Sequence, residues 1–232
     1  MTTSSIFRAT LIATSLMAAA TAQAETVAPV EAAAVAAPVA PTLTFGFEIT
    51  PEFQASNKSG SYESGDLAQT VYKISVSKAL PNGMSVAGSL AETFRAPSGG
   101  SATTYSQFEV KAGYKYKASP TFSVPMSATL GYAFGESPNI DPVDPKSPEA
   151  YYAFNVGADY KIDKSLTWNV IDARYRNAFN QDWLTPKVTT GFTYAMSSTG
   201  SVTANFGKSW KDTGKGMKSD KYSFGLGLKY LF

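Results

Sequence analysis

The sequence predicts an all-β fold, a closed antiparallel transmembrane β-barrel of about ten strands, with eight or twelve strands as alternatives. Three observations support this prediction. After residue 41, apolar residues alternate with small or polar ones, the alternating segments are longer than the strands of soluble sheets, and aromatic residues fall into two bands. A soluble β-sandwich explains the alternation but neither of the other two observations.

The first 41 residues are predicted to lie outside the barrel. Arg8 precedes an apolar stretch from Ala9 to Ala20, and Ala22-Gln23-Ala24 has the small residues of a cleavage site. The stretch is shorter than the ~20 residues of a transmembrane helix, so we expect a signal peptide at 1–24, cleaved after Ala24. Residues 25–41 are almost entirely Ala, Val and Pro, and we expect a flexible or semi-extended linker there, because proline lacks a backbone donor.

Ten segments after residue 41 show a period of two residues. In the last one, Tyr222, Phe224 and Leu226 share one face while Ser223 and Gly225 share the other. Successive side chains of a strand point to opposite faces, so one face is apolar and the other is small or polar. The predicted strands are 42–54, 68–80, 84–95, 104–117, 121–135, 150–162, 166–176, 185–196, 201–210 and 221–232.

The connections alternate in length, as in an up-and-down barrel. Short turns at 81–83, 118–120, 163–165 and 197–200 alternate with longer polar loops near 55–67, 96–103, 136–149, 177–184 and 211–220. The strands match the about 9–11 tilted residues that cross a bilayer. Every backbone donor and acceptor must be paired in hydrocarbon, so the sheet formed by residues 42–232 is expected to close.

The aromatic residues form two bands, which is typical of a surface that faces lipid. The band near the short turns contains Phe45, Tyr114, Tyr116, Phe122, Tyr160, Trp168, Tyr194, Tyr230 and Phe232. The band near the long loops contains Tyr72, Phe94, Tyr105, Phe108, Tyr132, Phe134, Tyr152, Trp210, Tyr222 and Phe224.

Two strands contain an irregularity. In the seventh strand Trp168 and Ile171 lie on opposite faces although both are apolar, and a bulge near Val170 would bring them to the same face. In the fifth strand Pro125 lacks the N–H that an interior strand needs, which indicates either a local bulge or an error in the strand assignment.

The alternation places twelve charged residues on the inner face of the barrel. They are Glu48, Lys73, Glu109, Lys111, Lys115, Asp159, Lys161, Asp172, Arg174, Arg176, Lys187 and Lys229. Eight are basic and four acidic, so an open bore should favour anions. Alternatively, the charges pair across strands and side chains fill the bore, as they do in barrels of about eight strands.

Composition excludes several kinds of chemistry. The chain of 232 residues contains no Cys and no His, which excludes disulfides, thiolate nucleophiles, His-based triads and Cys or His metal sites. The 20 basic and 18 acidic residues are too balanced to favour nucleic acid as a partner. We expect no cofactor and no metal: the carboxylates of loop 136–149 stand among four prolines, without the spacing of a calcium loop.

From about residue 42 onward, the chain resembles the bacterial outer-membrane β-barrel proteins of the small porin-like kind. The resemblance rests on the signal peptide, the alternating turns and loops, and a last strand that ends with Leu228, Tyr230 and Phe232. It implies a location in the bacterial outer membrane and contact with its lipid and lipopolysaccharide. It also implies that Leu228, Tyr230 and Phe232 form the signal read by the outer-membrane assembly machinery.

Two functions are compatible with this architecture. One is a small porin-like channel for passive passage of ions or small solutes. The alternative is a non-conducting structural or surface-interaction barrel that acts through its extracellular loops. Barrels of this kind that act as hydrolases or acyltransferases resemble one another in using His for catalysis. This chain has no His, so we do not expect an enzyme. Five lysines near the last long loop could contact lipopolysaccharide phosphates or simply be solvated; they are Lys208, Lys211, Lys215, Lys218 and Lys221.

Overall fold

A computed structural model describes residues 43–55, 65–95, 103–135, 149–180, 183–212 and 216–232. The predicted signal peptide (1–24) and linker (25–41) lie outside these residues. The described residues form ten strands: β1 (Leu43–Gln54), β2 (Leu67–Ala79), β3 (Met84–Arg95), β4 (Thr103–Lys117), β5 (Phe122–Gly135), β6 (Glu149–Lys161), β7 (Leu166–Ala178), β8 (Lys187–Ala195), β9 (Gly200–Asp212) and β10 (Met217–Leu231).

All neighbouring strands are antiparallel, and β1 pairs with both β2 and β10, so the sheet closes into a barrel. The closing ladder runs from Thr44 opposite Leu231 to Gln54 opposite Lys221. Beyond it, the N–H of Phe232 donates to the carbonyl oxygen of Leu43 at 2.8 Å. The predicted ten-strand closed barrel is therefore confirmed.

The predicted loop at 211–220 is wrong in extent. Strand β9 continues to Asp212, and β10 already begins at Met217, with Lys218 opposite Lys211 in the ladder between them. The ends of barrel strands can extend past the apolar band into water, where outward residues need not be apolar. The polar residues of this segment therefore show no apolar alternation, although they belong to strands.

The two irregularities have different outcomes. The ladder between β6 and β7 pairs Ala158 with Ile171 and Asp159 with Asn169, so Val170 is an extra residue and the predicted bulge is confirmed. At Pro125 the strand assignment holds and the predicted bulge is wrong. The flanking pairs with β6 keep one register; they are Ser123 with Asp159 and Met126 with Val156.

The bare backbone of Gly157 explains how β5 accommodates proline without a bulge. A Cβ at Gly157 would lie 3.2 Å from Pro125 Cγ and 2.9 Å from the carbonyl oxygen of Ile171. Glycine therefore leaves the space that the proline ring needs, and the register is the same on both sides of it.

Three of the short turns share one hydrogen-bonding pattern. A side-chain oxygen at the start of the turn accepts from the backbone N–H three residues on: Ser119 from Phe122 (2.9 Å), Asp163 from Leu166 (2.8 Å) and Ser197 from Gly200 (2.9 Å). Ser and Asp favour such turns because their short side chains satisfy the backbone donors locally.

Asp163 makes the turn between β6 and β7 sensitive to pH. The backbone N–H groups of Ser165 and Leu166 hold the pKa of its carboxyl below the usual range. A lowered folded pKa contributes stability above the unfolded pKa, and this contribution is lost as the pH falls through the folded pKa. We therefore expect the wild-type urea midpoint to drop more between about pH 7 and about pH 3 than that of Asp163→Asn.

Urea unfolding at the two pH values tests this prediction. Lys164→Gln is the matched control, because it removes a charge from the same turn, and it should retain the wild-type pH dependence. An equal drop in wild type and Asp163→Asn would contradict the prediction.

The outer face of the barrel is apolar and carries aromatic residues toward both ends. Exposed side chains include Phe45, Tyr116 and Tyr230 toward the short turns and Phe94, Tyr132 and Phe224 toward the long loops. Tyr105 does not belong to the outer band: it is 8% exposed on the inner face, where the Arg95 guanidinium lies 5.1 Å from its ring centroid. Among the described residues, no helix is long and apolar enough to cross a membrane.

Candidate functional site in the bore

The twelve sequence-predicted charged residues lie on the strand faces opposite the exposed apolar residues. Lys73, for example, lies between the outward Tyr72 and Ile74. The barrel brings some of them into ion pairs: Lys73 with Glu109, and Lys115 with Asp159 at 2.8 Å.

The other predicted residues are partnered differently. Glu48 accepts from Thr50 within its own strand at 3.0 Å, and Asp172 accepts from Asn155 at 2.8 Å. Within the described segments, Lys111, Lys161 and Lys229 have no acidic group within ion-pair distance.

A belt of polar side chains lies along the inner face around Lys73 and Glu109. We call it the central belt; its members are Glu52, Lys73, Glu109, Tyr151, Arg174 and Lys187. One carboxylate oxygen of Glu109 accepts from Lys73 and from Ser89 (3.1 Å), and the other accepts from the Tyr151 hydroxyl (3.0 Å). The belt therefore ties β2, β3, β4 and β6 together through a single carboxylate.

The second carboxylate of the central belt belongs to Glu52. It accepts from Lys187 Nζ at 3.2 Å and from Gln69 Nε2 at 2.7 Å. Lys187 and Glu52 are 135 residues apart in sequence, on β8 and β1. Their ion pair is partly buried, with 16% and 14% of the side chains exposed, so it resists screening better than a surface pair.

An aromatic cluster lies on the long-loop side of the central belt; it consists of Tyr151, Trp183 and Arg176. Tyr151 is 0% exposed and Trp183 is 2% exposed, and their ring centroids are 5.1 Å apart in an edge-to-face arrangement. The Arg176 guanidinium lies 4.0 Å from the Trp183 ring centroid, and its Nε donates to Thr185 Oγ1 at 2.9 Å. These contacts hold two large, buried aromatic side chains on the inner side of the sheet at this level.

Backbone geometry holds the aromatic cluster in place. The backbone N–H of Trp183 donates to Asn177 Oδ1 at 2.8 Å, which folds the connection between β7 and β8 toward the bore. Opposite Tyr151, Gly131 supplies the space for the ring, because a Cβ there would overlap the ring, at 2.6 Å from the hydroxyl oxygen.

The half of the bore near the short turns has a different character. Lys111, Lys115, Lys161 and Lys229 are exposed there, with small neighbours such as Gly113 in between. Solvated cations thus line this half, whereas the half near the long loops is packed around buried polar and aromatic residues.

Alternation alone did not single out every member of the site. Glu52 continues the parity of Glu48 along β1 and could have been found in this way. Tyr151 also had inner parity, but nothing in the sequence indicated its contact with Trp183. Trp183 lies in a connection without any period, so its position could not be inferred.

The five lysines near the last connection are divided among different surfaces. Lys208 lies on the outer face, with Nζ 5.2 Å from the Tyr222 ring centroid and 5.6 Å from that of Trp210. Lys211 and Lys221 lie 3.8 Å and 3.7 Å from Asp220 carboxylate oxygens, Lys218 is exposed, and Lys215 is outside the described residues. Contact with lipopolysaccharide remains a prediction. Lys208 is the lysine best placed for such a contact, because it lies on the outer face.

The predicted acidic loop lies almost wholly outside the structure's described ranges; only Glu149 falls within them. It is buried in β6 and accepts from Asn180 Nδ2 at 3.4 Å. Within those ranges, no group of three or more Asp or Glu residues could hold a metal ion.

Comparison with known proteins supports the fold. No protein-family model matches the sequence, and no curated protein matches it significantly. Among solved structures, an outer membrane channel from Pseudomonas putida F1 has a TM-score of 0.51 and 11% identity, covering 88% of this chain and 100% of that chain. The KdgM porin in complex with disordered oligogalacturonate has a TM-score of 0.44 and 13% identity, covering 82% of this chain and 99% of that chain. The NanC porin has a TM-score of 0.43 and 11% identity, also covering 82% of this chain and 99% of that chain.

The chain therefore has the fold of bacterial outer-membrane β-barrel proteins. Its closed ten-strand sheet and apolar outer face are those of a barrel that spans a membrane. An outer membrane channel shares this fold.

Proposed function

We propose that the protein is a small porin-like channel for the passive passage of ions or small solutes. The observation that carries this proposal is the set of exposed bore lysines, Lys111, Lys161 and Lys229, which lack acidic partners in the described part of the chain. An ammonium group without a partner requires water, so water is expected to enter the bore at least from the short-turn side. A barrel of ten strands is also wider than the eight-stranded barrels that side chains fill.

The same lysines give the proposed channel a preference for anions. The basic surplus of the inner face creates a positive potential, and low-dielectric walls focus it along the bore. Passive conduction needs no catalytic step, and the proposal includes none.

Recording from planar bilayers tests the channel. We expect conductance steps and a reversal potential of the anion-selective sign in a potassium chloride gradient. Lys111→Gln combined with Lys229→Gln should lower the anion preference, because it removes two unpaired cations from the bore. Lys164→Gln, in a short turn outside the bore, should leave the preference unchanged. The absence of steps from correctly folded protein would contradict the proposal.

The aromatic cluster favours the second candidate, a non-conducting barrel that acts through its extracellular loops. Tyr151 and Trp183 are buried, so they narrow the bore on the loop side. This candidate predicts that deletion of 136–149 abolishes a surface-binding phenotype while conductance is absent in both the parent and the deletion variant.

A further inference from the structure

Arg174 is a half-buried cation of the central belt, and its side chain makes no hydrogen bond or ion pair with the described residues. Its Nε has no partner although it is shielded from solvent. A buried N–H donor without an acceptor is costly, because it loses its hydration and gains no hydrogen bond in exchange. Such a donor is available to an anionic ligand.

The residues beside Arg174 in the sheet form hydrogen bonds with other residues. Its ladder partners are Asn155 on β6 and Lys187 on β8. Asn155 donates to Asp172 at 2.8 Å, and Lys187 donates to Glu52 at 3.2 Å. The neighbours therefore cannot satisfy the Arg174 guanidinium without breaking contacts of their own.

The surrounding charges favour an anion at this position. The central belt and the aromatic cluster together contain four cations and two carboxylates; the cations are Lys73, Arg174, Arg176 and Lys187, and the carboxylates are Glu52 and Glu109. Each carboxylate already accepts at least two hydrogen bonds from other residues. A positive surplus of two thus lies on this part of the inner face.

We propose that Arg174, with the charge of Arg176 beside it, binds the carboxylate group of a small solute inside the bore. This inference rests on the proposed channel function and names its solute class. The Nε–Nη edge of a guanidinium presents two parallel N–H groups that match the two oxygens of a carboxylate. Arg174 has this edge free, whereas Arg176 uses its Nε for Thr185 and stacks on Trp183.

Trp183 supplies a direct reading of binding. The chain has three tryptophans, so Trp168→Phe with Trp210→Phe leaves Trp183 as the only one. Its ring lies against Arg176, so an anion that enters the site should change its fluorescence. The protein is folded in detergent and titrated with acetate, and separately with inorganic phosphate, at constant ionic strength with chloride as the background anion.

Acetate should give a saturable change in the single-tryptophan protein and bind more tightly than phosphate. Arg174→Gln in the same background should weaken acetate binding at least about tenfold, because it removes a charge-assisted bidentate contact. Arg174→Lys should also weaken it, since an ammonium lacks the planar fork. Lys164→Gln, which removes a cation from a short turn outside the bore, should change it by less than about twofold.

Stability supplies a second, independent measurement. Because the Arg174 side chain makes no hydrogen bond with the described residues, Arg174→Gln should fold and show an unfolding midpoint equal to or higher than the parent in the absence of acetate. Added acetate should raise the midpoint of the parent and not that of the variant. These measurements do not require conduction.

The possible outcomes separate this proposal from the channel itself. Equal acetate affinity of the parent and Arg174→Gln, tighter binding of phosphate, or no saturable response would overturn the carboxylate site. Binding without conductance would contradict only the channel, and conductance without acetate binding would contradict only the carboxylate site.

Discussion

Glu109→Ala is expected to lower the free energy of unfolding by about 3 kcal/mol, which is the usual cost of removing one partner of a buried ion pair. Its carboxylate accepts from Lys73, Ser89 and Tyr151. Only 18% of the Glu109 side chain and 31% of the Lys73 side chain are exposed, so water replaces these contacts incompletely. The variant leaves an ammonium and a phenol hydroxyl without their acceptor.

Urea unfolding in lipid vesicles, followed by tryptophan fluorescence and heat-modifiable migration on gels, measures this loss. Glu48→Ala is the matched control, because Glu48 is also an inner-face glutamate of the barrel. Among the described residues it accepts from Thr50 of its own strand alone, so its loss should cost less than about 1 kcal/mol.

Lys73→Met combined with Glu109→Ala should recover part of the stability, because the stranded charge is gone. If Glu109→Ala proves no more costly than Glu48→Ala, the central belt does not have the structural role assigned to it.

Much of the fold could be predicted from the sequence because the membrane imposes a simple physical rule. Outward side chains must be apolar and backbone groups must be paired, so the period of two in β10 indicates both the strand and the closed sheet. The rule weakens outside the apolar band. Lys211 and Lys218 are paired in the sheet, but they face water or the inner wall, so no apolar alternation marks them as strand residues.

The pairing inside the bore was harder to predict than the identity of the inner residues. Parity indicates which side of the sheet a residue occupies. It does not give the position of the residue along the barrel axis or the distance between two inner side chains. The pair of Lys187 and Glu52 depends on the closure of the sheet between β1 and β10 and on the register of every ladder from β8 to β10. Tyr105 shows a related limit, because it lies near the long loops but is buried on the inner face. An aromatic residue near a strand end belongs to the outer band only if its side chain points outward.

Trp183→Ala combined with Tyr151→Ala is expected to raise the single-channel conductance severalfold if the aromatic cluster is the narrowest part of the channel. The two rings lie in edge-to-face contact with centroids 5.1 Å apart, and both are buried on the inner side of the sheet, so their bulk occupies space on the loop side. Their truncation leaves space that water can occupy, because Arg176, Thr185 and Glu109 provide polar partners for it.

Single variants separate the contribution of bulk from that of hydrogen bonding. Tyr151→Phe keeps the ring and loses only the hydroxyl that donates to Glu109, so conductance should stay near wild type while stability falls by about 1 kcal/mol. Trp168→Ala is the matched control for tryptophan removal, because Trp168 is exposed on the outer face, and it should leave conductance unchanged.

A double variant that folds but conducts like wild type would place the narrowest point elsewhere. The central belt would then be the next candidate, since its ion pairs lie on the same inner face, closer to the short turns. If conductance rises and the anion preference weakens, then the aromatic cluster limits conductance and also contributes to selectivity, while the central belt retains the rest of the selectivity. Widening the aromatic cluster lets cations pass farther from Arg176, so the field of this residue discriminates less between the ions.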